Sequence, residues 1–275
     1  MPYATNDAVR LYWDQKGAGS PVLLVMGAAY SSAMWYPVID ALAERHTVIW
    51  FDNRGIGRSA KSRTGSIQDM ATDAEAVLDA AGVDSAHVYG VSLGGVVTLQ
   101  LALQSPHRVR SLILGCTGIL TDDKPRAPRA ANLLGRLPAG LRSKLLSAVA
   151  GRGGYGSAAP AEAVTRDLAM LRADRATATG LVQQQNALRA YSVSCERVAA
   201  LGVPSLVLHG TEDSTVPYSY GQELAATLPD ARLVTFEGAG HNYLVAYPCE
   251  ANAAVLGFLA GVDGAPSWVE RRVGA

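Results

Sequence analysis

The chain has 275 residues, 49% of them hydrophobic, with 24 lysines and arginines against 24 aspartates and glutamates. That composition supports a sizeable core and argues against wholesale disorder, and the balanced charge has nothing to recruit nucleic acid or an anionic membrane surface. Cys116, Cys195 and Cys249 are widely spaced and form no C-x-x-C, so neither a disulfide framework nor a zinc site is expected. The start, M-P-Y-A-T-N-D-A-V-R, has no basic region followed by an apolar run, and no segment is long enough to span a bilayer. A cytoplasmic setting is the expectation, for a monomer or homodimer.

In chain order, Val9–Asp14 reads as a first strand. P-V-L-L-V-M, Pro21–Met26, is a continuous apolar run that suits a strand buried on both faces. Trp35–Arg45 has helical periodicity, and H-T-V-I-W-F, His46–Phe51, is a second buried strand closing on D-N-R-G-I-G-R-S. Ile67–Ala81 is a helix ending at Gly82, followed by the strand His87–Tyr89, a tight turn at Ser92 and a helix from Leu93 to Ala102. Val109–Leu114 gives a further apolar strand. From Thr121 to about Ala200 the chain turns rich in alanine, leucine and arginine, with Pro125, Pro128, Pro138, Pro160 and the Gly151–Gly156 stretch as breaks. Three or four short helices without a strand are expected there. Alternation then resumes with strand Pro204–His209, helix Tyr218–Thr227, strand Ala231–Phe236 and helix Cys249–Leu259, and Gly261–Ala275 reads as an exposed tail. The layout is an α/β domain with a mostly parallel, doubly covered sheet, in two parts (1–119 and 201–275) around a helical insertion (120–200).

The stretch G-V-S-L-G places Ser92 at a strand-to-helix turn between Gly90 and Gly94, where neighbouring chain would leave no room for a Cβ. A serine hydroxyl needs a base, and the base needs an orienting acid. Of five histidines, His46 and His87 sit at strand starts, His107 follows Pro106 and His209 lies inside a strand. His241 alone follows a strand in a glycine-rich loop, G-A-G-H-N. The strand Pro204–His209 runs out into G-T-E-D-S-T-V-P, which makes Asp213 the candidate acid, with Glu212 as the neighbouring alternative. All three residues fall at the carboxyl edge of the sheet, where sites form in parallel folds. Asp52 and Arg54 are read as a buried acid–base pair fastening a loop, with Gly55 and Gly57 supplying unusual backbone angles, and Cys116 as a buried, inert thiol.

M-G-A-A after a strand, F-D-N-R-G-I-G-R-S, G-V-S-L-G-G, and the pair G-T-E-D with G-A-G-H occur in this order. In these motifs the sequence resembles the α/β-hydrolase superfamily, and most of all its enol-lactonases, small esterases and cofactor-free haloperoxidases. The resemblance implies the α/β-hydrolase fold with a helical cap, and an oxyanion hole made by the backbone N–H groups of Leu93 and Ala28. The family has His-Gly where this chain has Met26-Gly27, but a backbone donor does not depend on that side chain. The implied activity is hydrolysis of a moderately hydrophobic ester or lactone through an acyl-enzyme on Ser92, with no metal or organic cofactor. Candidate walls of the substrate site are Tyr30 and Trp35 near the oxyanion loop and Leu133, Leu134, Leu145, Met170, Leu171, Leu181, Gln184 and Leu188 in the cap. Carbon–carbon bond hydrolysis, with Arg129, Arg136 or Arg189 holding a carboxylate, acyl transfer to an alcohol or peroxide, and a non-catalytic ligand-binding member remain as alternatives. A serine at the elbow disfavours the dehalogenase and epoxide hydrolase chemistries, which use aspartate.

Overall fold

The computed structural model describes residues 2–61, 65–124, 154–173 and 178–264. Eight strands form one sheet in the order β1-β2-β4-β3-β5-β6-β7-β8. They are β1 (Tyr3–Asn6), β2 (Val9–Lys16), β3 (Ser20–Val25), β4 (His46–Phe51), β5 (Ala86–Val91), β6 (Val109–Gly115), β7 (Ser205–Gly210) and β8 (Ala231–Phe236). From β4 to β8 every neighbouring pair is parallel. The β1–β2 and β2–β4 pairs are antiparallel. This is the α/β-hydrolase fold, a mostly parallel sheet flanked by helices with an inserted helical cap.

The apolar runs make two cores because successive side chains alternate across a sheet. Leu23, Val25, Ile49, Val88 and Leu112 pack with α2 (Ile67–Ala80) and α3 (Leu93–Gln104) on one face. Val22, Leu24, Val48, Tyr89 and Ile113 pack on the other with α1 (Ile39–Ala43) and α9 (Pro248–Val262). Helix α3 is buried along nearly all its length, from Leu93 to Ala102. The described helices of the inserted region are α4 (Ala161–Ala173) and α5 (Ala178–Ala190), and the short α6 (Cys195–Ala199) packs against α3 with Val198 in the sheet core. They are followed by α7 (Tyr218–Thr227) and α8 (Tyr243–Ala246) in the core domain. No helix among the described residues is long and apolar enough to cross a membrane.

The structure departs from the sequence reading in three places. The helix expected over Trp35–Arg45 is a 3-10 turn, Ser32–Trp35, and then α1, with Pro37 between them unable to donate an N–H to a continuous helix. The short β1 pairs as a hairpin with β2 and had no apolar pattern to announce it. The third concerns the pair assigned to Asp52 and Arg54. Asp52 instead accepts from the Arg58 backbone N–H at 2.8 Å and Nε at 3.1 Å, and from Ser32 N–H and Oγ at 2.8 and 2.6 Å. Gly55 (φ 79°) and Gly57 (φ 55°) reverse the chain so tightly that Arg58, rather than Arg54, returns to Asp52. A Cβ on Gly57 would stand 2.3 Å from Asp52 Oδ2.

Arg54 turns the other way and grips Asp73 of α2 with two bonds, Nε–Oδ2 at 2.6 Å and Nη2–Oδ1 at 2.7 Å. Both groups are buried, and Asn6 Nδ2 donates to Asp73 Oδ1 at 2.8 Å, so the pair ties loop, helix and β1 together. Burial pushes the Asp73 carboxyl up, while the Arg54 bonds oppose it. Removing one partner strands a buried charge, which costs about 3–5 kcal/mol. Asp73→Ala is therefore expected to lower the urea unfolding free energy by about 3 kcal/mol, and the Arg54→Met/Asp73→Leu double variant to recover most of that loss.

Candidate active site

Ser92 sits between β5 and α3 with φ 55° and ψ −120°, a backbone conformation that side chains rarely adopt. The surrounding chain imposes it. A Cβ at Gly94 would fall 2.0 Å from Val25 O, and one at Gly90 would fall 2.3 Å from Gly94 O. The start of α3 is thus pressed onto the end of β3, which only glycine permits. Ser92 N–H donates to Gly115 O at 2.8 Å and Thr117 Oγ1 donates to Ser92 O at 2.9 Å, pinning the bend to the end of β6.

Asp213 follows β7. Its Oδ1 accepts from the N–H groups of Thr215 and Val216 at 2.8 and 2.9 Å, and its Oδ2 accepts from His241 Nδ1 at 2.7 Å. Burial works against the ionised carboxyl, but His209, His241 and the Val216 N–H outweigh it and hold the group well below the usual carboxylate range. Burial likewise disfavours a charged His241 ring, but the Cys116 sulfur and the Asp213 carboxylate outweigh it and the imidazole pKa is raised. Glu212 faces elsewhere, accepting from Ser157 N–H at 2.7 Å and Ser157 Oγ at 2.8 Å. It fastens the cap and makes no contact with His241.

Ser92 and His241 open onto one cavity of about 450 Å³, within the range of small-molecule sites. Ala28, Tyr30, Leu93, Leu171, Leu181 and Leu188 of the expected residues also line it. Among the described residues the N–H groups of Ala28 and Leu93 find no hydrogen-bond acceptor, whereas the N–H of Ala29, next to Ala28, is taken by Gln184 Oε1 at 2.8 Å. Gln184 is thus a brace on the loop after β3, at a residue with φ 71°, and does not line the cavity. Trp35 is fully buried against Tyr89, at 4.9 Å between rings, in the core rather than in the wall; its 3-10 turn directs it inward. Met170 is half-buried on α4 outside the wall. Leu133, Leu134, Leu145, Arg129 and Arg136 lie outside the described residues, while Arg189 does line the cavity. Cys116 is buried, and it also lines the cavity beside His241.

His46 and His87 are occupied far from the cavity, by Ser20 at 2.9 Å and by Ser111 and Asp263 at 2.7 and 3.0 Å. His209 is closer to the site than its place inside a strand suggested. Its Nε2 donates to Val216 O at 2.9 Å and stands 3.3 Å from Asp213 Oδ2. The spacing of His209 and Asp213, four residues apart at a strand end, was the available signal. Asp167 of α4, on the cavity wall, carried no signal at all in an alanine- and arginine-rich segment. Among the described residues no group of His, Cys, Asp and Glu is placed to hold a metal.

A strained serine turn above a parallel sheet, with an acid–histidine pair on the neighbouring strand ends, defines the α/β-hydrolase class, and the chain belongs to that family. A family model described as the alpha/beta hydrolase fold matches residues 20–245. Among curated relatives, a protein provisionally named carbamate hydrolase RutD, from Azorhizobium caulinodans, is 34% identical over 96% of this chain and all of its own length. Among solved structures, Est816, described as an N-acyl homoserine lactone degrading enzyme, is 28% identical with a TM-score of 0.74, covering 94% of this chain and 100% of its own. The enol-lactonase of Burkholderia xenovorans, 23% identical over 94% of this chain and 100% of its own, shares the fold with a TM-score of 0.84.

The strain at Ser92 has a measurable consequence. Ser92→Gly relieves a conformation costing about 1–3 kcal/mol and is expected to raise the urea unfolding free energy by about 1 kcal/mol after the added chain entropy of glycine.

Proposed function

We propose that the protein is a serine hydrolase that cleaves a carboxylic ester or lactone of a small, moderately hydrophobic molecule. The observation that carries this reading is the Asp213–His241 bond at 2.7 Å opening onto the same cavity as the strained Ser92 turn. In the reaction, Ser92 Oγ attacks the carbonyl carbon while His241 Nε2 takes the hydroxyl proton. The negative charge that develops on the carbonyl oxygen is met by the N–H groups of Ala28 and Leu93, each worth about 3–4 kcal/mol in such a role. The carbon–oxygen bond then breaks, His241 returns its proton to the leaving alkoxide, and an acyl-Ser92 ester remains. Water, deprotonated by His241, attacks that ester; the acid is released and the proton goes back to Ser92. Asp213 keeps the proton on His241 Nδ1 and stabilises the charged ring.

The relatives named as carbamate hydrolases favour a second substrate type for the same steps, since a carbamate carbonyl is open to the same attack. Esters, lactones and carbamates tested side by side separate the two readings.

A fluorophosphonate probe followed by intact-protein mass spectrometry tests the nucleophile. One adduct on the wild type, and none on Ser92→Ala or His241→Ala, is the expected result; a binding protein that does not turn over would remain unlabelled throughout. Asp213→Asn should lose about 10⁴ in kcat from the wrong imidazole tautomer.

Only the neutral ring can accept the serine proton, so kcat/KM is expected to rise with pH through the His241 pKa. Because that pKa is raised, the ascending limb should lie above the ordinary imidazole value of about 6.5. Asp213→Asn removes the carboxylate that favours the charged ring, and should move the limb to lower pH in the same pH–rate titration.

A further inference from the structure

Asp167 is a buried carboxylate that the hydrolytic steps leave unused. It lies on the cavity wall, only 3% exposed, in α4 of the cap. Tyr36 Oη donates to its Oδ1 at 3.0 Å and Tyr155 Oη to its Oδ2 at 2.8 Å. No lysine, arginine or histidine among the described residues pairs with it. Its chain neighbour Arg166 is exposed, and Arg189, which also lines the cavity, makes no ion pair with it.

A carboxylate is costly to bury without a cation. An amide in its place would offer one acceptor oxygen, so it would satisfy one of the two phenols; the carboxylate satisfies both, on separate oxygens. The carboxylate offers about four lone-pair sites, and the two phenols use one on each oxygen. Acceptor capacity therefore remains on both oxygens, on a side chain bordering a cavity whose walls are otherwise mostly apolar. Burial pushes the Asp167 carboxyl up, and the Tyr155 and Tyr36 bonds oppose it. The tyrosines also fix its position. Tyr36 follows the 3-10 turn beneath the cavity, and Tyr155 O accepts from Gly240 N–H at 2.9 Å, beside His241.

Resting on the serine hydrolase reading, we infer that Asp167 is the polar end of the substrate site and docks an amino group, as its ammonium, carried by the substrate away from the scissile carbonyl. The ammonium supplies a positive charge and N–H donors that no described residue brings to Asp167, while the apolar walls hold the chain between that group and the carbonyl. The preferred substrates are then amino-bearing esters or lactones rather than plain alkyl ones.

Two measurements test this on the full chain. In the first, 4-nitrophenyl esters whose acyl chains of three to seven carbons end in an ammonium, a hydroxyl or a methyl group are compared by kcat/KM. At the best-fitting length the wild type should favour ammonium over methyl by about tenfold or more, as a charge-assisted bond in a buried site does. Asp167→Asn should bring that ratio to about one or below, with the hydroxyl ester moving little relative to methyl. Methyl esters preferred by the wild type at every length, or a ratio that Asp167→Asn leaves in place, would overturn the assignment while the hydrolase reading stood. The second measurement does not need turnover: thermal stabilisation of the wild type by n-alkylammonium chlorides of three to seven carbons, against the matching alcohols. A shift with the amines, absent in Asp167→Asn and in Asp167→Ser, supports the site even if no ester is cleaved and Ser92 resists the fluorophosphonate. Equal shifts in wild type and variants, or none in the wild type, sink it.

Discussion

The contact between the first turn of α3 and the end of β3 governs the site. With 2.0 Å between a notional Gly94 Cβ and Val25 O, helix and strand meet backbone to backbone, and the connection between β5 and α3 has no room for a relaxed bend. The turn is therefore forced into positive φ, and Ser92 is held at the helix N-terminus, where the first N–H groups lack intrahelical partners. A looser packing of the same elements would hide the hydroxyl and turn the Leu93 N–H away. Local strain of this kind persists because the rest of the sheet determines it: β5 is flanked by parallel β3 and β6, in unbroken register with β6 from His87 to Val91, and neither can shift there without moving both cores.

Around that fixed point the other groups arrive from neighbouring strand ends. β7 delivers Asp213 and the loop after β8 delivers His241, so the acid–base pair spans adjacent parallel strands. Its geometry follows from strand spacing rather than from loop conformation alone. The carboxylate is saturated by the Thr215 and Val216 N–H groups and by the two histidines. It is therefore anchored from the loop, the strand and the His241 ring at once, which suits the orienting task proposed for it. The raised His241 pKa is the electrostatic counterpart: the Cys116 sulfur and then the buried Asp213 carboxylate favour the charged ring, and a well-solvated aspartate would add less.

The parts of the molecule legible in the sequence are those where burial leaves a pattern. Pro21–Met26 and His46–Phe51 read as buried strands because both faces are covered, and G-V-S-L-G was legible because its glycines answer to a steric demand. What escaped depends on where the chain returns in space. Asp52 was paired with Arg54 on proximity, but two positive-φ glycines bring back Arg58. Trp35 was placed near the cavity because it follows the oxyanion loop, while the break at Pro37 sets a 3-10 turn that buries it. Gln184 sits on a cap helix as expected, but it reaches down to a backbone N–H. Asp167 had no sequence signature, since its surroundings, Tyr36 and Tyr155, come from 131 and 12 residues away.

The segment from Gly154 to Ala158 accounts for a further property. Gly154 O and Tyr155 O accept from Asn242 and Gly240 N–H at 2.6 and 2.9 Å, Ala158 N–H donates to Gly238 O at 3.0 Å, and Ser157 is held by Glu212. The loop carrying His241 is thus an edge partner of the Gly154–Ala158 backbone, much as one strand is of another. In evolutionary terms, the cap is not an interchangeable module. A lineage acquiring a new cap must preserve these backbone partners, or lose the register of its histidine together with its old substrate. Substitutions in the side chains that α4 and α5 turn to the cavity, such as Leu171, Leu181 and Leu188, can change what it admits while leaving the stitching in place.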